Sequence, residues 1–190
     1  MTDDLAALYD EFTDTAFRLE RWQHYAISAE DPAFRAFRED RPRPERSVRT
    51  SPWLARIAVG VAARKDWSRV RVIEWPLSEY TRYELVAYVE SQAAGERIQV
   101  VDRADVGDLG PDFWLFDAGT DHAAAVVMHY GADGELLRRE PVRDLARVAE
   151  LDAIRVKAQA AARPLNEFLA AATVGRCRAR GVSGARTAPH

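Results

Sequence analysis

The 190-residue chain has one cysteine, Cys177, and only two lysines, Lys65 and Lys157. A single thiol excludes an internal disulfide and a cysteine-built metal cluster, and it suits a reducing cytoplasm. No stretch approaches the roughly 18 to 20 apolar residues that cross a bilayer. The opening run MTDDLAALYDEF is acidic and lacks the basic head and apolar core of a secretory leader. A cytoplasmic protein without a membrane anchor is therefore expected. Phosphate loops are missing too: Gly107 and Gly110 share a short turn with no Lys-Ser/Thr pair. No serine stands in a Gly-x-Ser-x-Gly elbow. The four histidines, His24, His122, His129 and His190, show no metal-ligand spacing. His122 and His129 read as opposite ends of one strand, on opposite faces. No metal, no cofactor and no internal repeat are expected.

What is present describes a foldable body. Hydrophobic residues make up 47% of the chain and the formal net charge is −3. That is enough apolar content for a core and too little charge imbalance for a nucleic-acid or membrane coat. Arginine replaces lysine almost throughout, as in GC-rich coding sequence. Leu5, Leu8, Tyr9 and Phe12 are spaced for a helix over Asp3–Asp14. Phe17 to Trp22 alternates apolar and charged residues, which predicts a strand with Phe17, Leu19 and, with a slip in the alternation, Trp22 inward. Asp31-Pro32 and Ser51-Pro52 each open a helix. The segment between them, Arg41–Arg49, reads as an internal linker.

The centre is the most regular part. Arg69–Trp75 predicts a strand, Ser78 caps a helix over Glu79–Ala94 that Gly95 stops, and Glu96–Arg103 predicts a second strand. This is a right-handed βαβ unit. Asp112–Asp117 and Ala123–Tyr130 continue it as strands, and Ala132-Asp133-Gly134-Glu135 turns into Leu136–Glu140. Asp144 caps a closing helix through Ala162, and Pro164 restarts a short turn bearing Leu165, Phe168 and Leu169. The fold class expected is α+β: a central βαβ unit continued by an antiparallel meander, with helices at both termini. One domain over residues 1–174 is expected, followed by a disordered arginine-containing tail over 175–190.

Arg69-Val70-Arg71-Val72, Pro76-Leu77, Tyr80, Arg82-Tyr83-Glu84, Ala94–Ile98, Met128-His129-Tyr130 and above all Asp112-Phe113-Trp114-Leu115-Phe116-Asp117 carry a resemblance. Over about Leu8 to Leu169 the chain resembles the uncharacterised actinobacterial family catalogued as domain of unknown function number 6879. The resemblance implies a setting beside helix-turn-helix regulators and implies no chemistry. Two features depart from it: Gly131-Ala132 follows Tyr130 where the family pattern often has an acid, and nothing corresponds to the tail past Thr173.

The residues themselves offer a few candidate sites. Helical phase puts Arg82 on an apolar stripe with Leu85, Val86 and Val89, and turns Glu84 toward Tyr80 and Tyr88. A buried arginine needs a carboxylate. Either Arg82 forms a structural ion pair with Glu74, Asp112 or Asp117, or it captures an anion in a pocket. Trp114 within its aromatic run is either a stacking platform or plain core. The arginines in 35–49 and past Thr173 read as solvated charge, so nucleic acid is not an expected partner. With no catalytic constellation in view, the expected function is a non-enzymatic binding or regulatory module for a protein partner, such as a helix-turn-helix regulator. The alternative is a small enzyme of specialised metabolism with a carboxylate/arginine pocket of Tyr80, Arg82, Glu84 and Asp117. There Glu84 or Asp117 acts as base and Arg82 holds an anion.

Overall fold

A computed structural model describes residues 4–27 and 30–172. The tail expected over 175–190, with Cys177 and His190, lies outside the described residues. The elements run α1 (Asp4–Glu11), β1 (Thr15–Glu20), α2 (Asp31–Arg38), α3 (Pro52–Ala62), β2 (Asp66–Ile73), α4 (Glu79–Ala93), β3 (Arg97–Asp102), α5 (Arg103–Val106), β4 (Asp112–Phe116), β5 (Ala124–Tyr130), β6 (Leu136–Val142), α6 (Leu145–Ala161) and β7 (Arg163–Pro164). A last helix, α7, covers residues 165–172.

Seven strands form one mixed sheet in the order β6-β5-β4-β1-β2-β3-β7. The strands β1, β2 and β3 run parallel, so the expected βαβ unit is preceded by a further parallel strand. The antiparallel meander β4-β5-β6 joins the free side of β1. The fold is α+β, with helices at both ends.

Local chemistry accounts for the boundaries. Ser51, Ser78 and Asp144 each accept a hydrogen bond from a backbone N–H in the first turn of α3, α4 and α6. Gly95 ends α4 at φ 105, a conformation that costs glycine little. The first cap of α2 is Glu30 and not Asp31, and Pro32 is the second helical residue.

One face of the sheet is apolar. Phe17, Leu19, Val70, Val72, Phe113, Leu115, Ala125 and Val127 meet Val148, Leu151 and Ala158 of α6. Burying such side chains stabilises the fold by about 25 cal/mol per Å² of apolar surface. The opposite face is different. Alternation on β1 and β2 turns Arg18, Glu20, Arg69 and Arg71 away from α6, and α1, α3 and α4 cover them. These charged residues are buried. Strand β1 turns Phe17 and Leu19 into the core as expected, and it is central in the sheet with both faces covered.

Helix α4 corrects a second expectation. Arg82, Val86 and Val89 are exposed, while Tyr80, Thr81, Glu84, Leu85, Tyr88 and Ser91 are buried. The inner side of α4 lies over Arg69 and Arg71, so polar groups that can pair with guanidinium turn inward and the valines stay outside.

Candidate functional site

Three guanidinium groups and four carboxyls are buried on the α4 side of the sheet: Arg18, Arg69 and Arg71 with Glu20, Glu84, Glu96 and Asp112. Register places Arg18 beside Arg69, and Glu20 beside Arg71, on neighbouring parallel strands. Glu20 relieves the like-charge contact. Its Oε1 accepts from Arg69 Nη1 at 2.6 Å and from Arg18 Nε at 3.3 Å, and its Oε2 accepts from the Tyr88 hydroxyl at 2.5 Å. Arg69 also donates through Nε to Glu96 at 2.8 Å. Arg71 is fully enclosed, with Nη2 2.6 Å from Glu84 Oε2 and its guanidinium over the Tyr25 ring. Asp112 accepts from the Tyr25 hydroxyl and from Arg18 Nη2. Each guanidinium thus lies against at least one carboxyl, as buried cations require.

Burial sets the proton affinities. The Glu84 carboxyl is pushed up to about 8 by desolvation, against the pull of Arg71 and with reinforcement from Glu20 and Glu30. Glu20 is equally buried, but Arg69, Arg18 and Arg71 outweigh the desolvation and hold it down at about 2. Two carboxyls that share one hydroxyl, that of Tyr88, are therefore pushed in opposite directions.

Above this network lies a partly open cavity of about 520 Å³. Its floor is the sheet, through Arg18, Glu20, Arg69, Trp114, Met128 and Tyr130. Its walls are Tyr9 of α1, Trp53 of α3, and Tyr83, Glu84, Ala87 and Tyr88 of α4. Ala26, Ile27 and Glu30, with Arg46, Leu136 and Arg139, complete the rim. The linker is tied down here: Arg43 pairs with Glu90 at 2.8 Å and Arg46 donates to the Ala87 carbonyl at 3.1 Å. Trp114 lies beneath both Arg18 and Arg69, with guanidinium carbons 5.7 and 5.9 Å from its ring. Arg18 is 3% exposed; its Nη1 has no hydrogen-bond partner, whereas Nε and Nη2 are engaged.

The structure brings together two of the residues singled out from sequence, Glu84 and Trp114, and separates the others. Tyr80 is buried beside the cavity and donates to Glu30 at 2.8 Å. Arg82 reaches the Ser78 carbonyl at 3.4 Å from an exposed position and does not line the cavity. Glu74 pairs with Arg103, and Asp112 with Arg18 and Arg21.

Asp117 stands apart, at φ 49 in the turn after β4. Its carboxylate accepts from the N–H groups of Thr13, Asp14 and Thr15 at 2.9, 2.7 and 3.0 Å. Burial works against its charge, but these donors outweigh it and hold the carboxyl below its ordinary value. Asp14, Asp117 and His122 bring ligand atoms within 4.8 Å of one another. Both Asp117 oxygens already serve the α1–β1 connection, which gives the cluster a structural purpose. His122 precedes β5 instead of starting it, and His129 contacts Glu140 at 2.8 Å.

Sequence reasoning missed Arg18, Arg69, Glu20 and Tyr88 as site residues. A signal was present: two segments with charges at alternate positions, Arg18/Glu20 and Arg69/Arg71, each interleaved with apolar residues that demand burial. Paired as central strands, they leave the charges no route to water.

A family model described as a domain of unknown function (DUF6879) matches residues 3–170. No curated protein matches the chain. Among the described residues, no helix is long and apolar enough to cross a membrane.

Proposed function

From the premise that the chain belongs to the family described as a domain of unknown function (DUF6879), we propose that it is a non-enzymatic binding module that takes a small organic ligand into the cavity over the sheet. The observation that carries this is the cavity itself, about 520 Å³ with an enclosed guanidinium at its floor. Pockets of this size, apolar-walled with a few convergent polar groups, are where small ligands bind. The recognition groups are recessed, which favours a small ligand over the protein surface expected from sequence.

The test is a thermal-shift screen of a metabolite library on the wild-type protein and on Ala87→Trp, which fills the cavity from α4. Compounds should raise the melting temperature of the wild type and leave the variant unmoved. No stabilising compound, or equal shifts in both proteins, removes the proposal.

The raised Glu84 carboxyl supports a second reading, a small enzyme with Glu84 as general acid or base. Mass spectrometry of a recovered ligand separates the two: unchanged ligand supports the module, and turnover abolished by Glu84→Gln supports the enzyme. A regulatory role with a helix-turn-helix regulator as partner, in the cytoplasm, is the corresponding proposal for the module's output. Calorimetry showing no heat with such a regulator at micromolar concentration would remove it.

A further inference from the structure

Two connections meet at the end of the sheet where β1 begins and β4 ends. The α1–β1 connection supplies Thr13 and Asp14, and the β4–β5 loop supplies Asp117, Asp121 and His122. None of these residues lines the cavity. Asp14, Asp117 and His122 each bring one ligand atom within 4.8 Å of the other two. Asp117 is buried while Asp14 and His122 are exposed, so the cluster opens to solvent on one side.

The spacing within it is that of a coordination shell. Thr13 Oγ1 lies 3.1 Å from Asp14 Oδ2, 3.3 Å from His122 Nε2 and 3.4 Å from Asp117 Oδ2. His122 Nε2 lies 3.6 Å from the same Asp117 oxygen. Atoms bound at about 2.0–2.2 Å to one tetrahedral cation stand roughly 3.3–3.6 Å apart. Asp117 is also fixed in advance: Oδ1 accepts from the N–H groups of Asp14 and Thr15, and Oδ2 from that of Thr13 alone. Oδ2 therefore keeps a lone pair for a further partner.

Protons are scarce at this point. The single hydroxyl proton of Thr13 faces three acceptors. His122 Nδ1 lies 3.0 Å from Asp121 Oδ1, and a neutral imidazole that donates there turns the Nε2 lone pair toward Asp117. Lone pairs of an imidazole and two carboxylates that converge in this way call for a cation. A carboxylate behind the far nitrogen is also what orients an imidazole on a metal.

We propose that Asp14, Asp117 and His122 bind a divalent first-row transition cation, typified by Zn²⁺, with Asp121 as the positioning residue behind His122. Each carboxylate gives one oxygen and the imidazole gives Nε2. One imidazole among carboxylates suits zinc and its neighbours, whereas calcium takes about six to eight oxygens and magnesium keeps several of its waters. The cation ties the α1–β1 connection to the β4–β5 loop.

Calorimetry and thermal melting of the chelator-treated full-length protein test this with Zn²⁺ alone. The wild type should take up one equivalent and melt at a higher temperature. His122→Ala and Asp14→Asn, both at exposed positions, should each weaken that uptake at least roughly tenfold, and Asp121→Asn by about 10–100-fold. Imidazole ¹⁵N spectra should show His122 Nε2 bound to metal and Nδ1 still protonated. Zinc held at unchanged affinity in either His122→Ala or Asp14→Asn lies elsewhere on the chain, for example at Cys177, and overturns the proposal. Mg²⁺ bound as tightly as Zn²⁺ overturns the transition-metal class, and unchanged affinity in Asp121→Asn overturns its positioning role. No uptake by the wild type at micromolar zinc means that protons alone bridge His122 to Asp117 and Asp121, and the site falls.

Discussion

Folding of this protein takes up a proton near neutral pH at Glu84. In the unfolded chain this carboxyl ionises at its ordinary value of 4.5; in the folded protein, burial against the opposing pull of Arg71 raises it to about 8. Between those values the native state keeps a proton that the unfolded chain has released, so stability falls as pH rises through the window. For one proton the slope is about 1.4 kcal/mol per pH unit, flattening as the folded value is reached. From about pH 6 to about pH 8 the loss is on the order of 2 kcal/mol. That is a sizeable share of a domain stability of roughly 5–15 kcal/mol, and roughly 4–8 °C in melting temperature for a chain of this length. Glu20, held at about 2, titrates far below the window. The assay is urea unfolding of the wild type and Glu84→Gln at both pH values. Glutamine keeps the shape without the titration, so the wild type should decline by about 2 kcal/mol more than the variant. Parallel declines, with the variant about 3–5 kcal/mol less stable at both pH values, would refute the reasoning. Glu84 would then be ionised against Arg71 throughout, and the substitution would have stranded a buried cation.

Three further outcomes follow from the packing. Asp117→Ala strands the N–H groups of Thr13, Asp14 and Thr15, and should cost about 2–4 kcal/mol in chemical denaturation while leaving ligand affinity unchanged, since Asp117 lies away from the cavity. Gly60→Ala would set a methyl group on the Trp67 indole nitrogen; overpacking of a buried ring should lower stability by about 1–3 kcal/mol, read by thermal melting. Gly134→Ala, at φ 77 and against the His24 carbonyl, should cost about 1–3 kcal/mol and speed amide exchange in the β5–β6 hairpin ahead of the rest of the sheet.

Elements governed by near-neighbour chemistry were legible in the sequence. Ser51, Ser78 and Asp144 announce helix starts, Gly95 a helix stop and Gly134 a hairpin, and each acts through atoms within a few residues of itself. The βαβ unit and the meander follow from those signals. What could not be read is decided by partners far along the chain. Whether Arg18 is wet or buried depends on β2 and β4 lying on either side of β1, and on α4 closing the face above. The same holds for Arg82, whose helix was phased by its valines although the inner side of that helix is selected by Arg69 and Arg71. Of the cavity, Glu84 and Trp114 were in view; the guanidinium floor was not, because strand alternation alone does not reveal a second covered face. The two-residue strand β7 and the single-turn helix α5 are too short to announce themselves.

The charged face of the sheet also decides how the strands align. Sliding β1 by two residues along β2 would still set Phe17 against Val70 and Leu19 against Val72, so the apolar side alone would accept the shifted pairing. The other side would not. In the observed alignment Glu20 lies beside Arg71 and reaches Arg69 and Arg18; after the slide Arg18 would lie beside Arg71, and Glu20 beside Ile73, two residues further from Arg69. Oily residues make this sheet stable in more than one alignment, and four ionised side chains leave it only one.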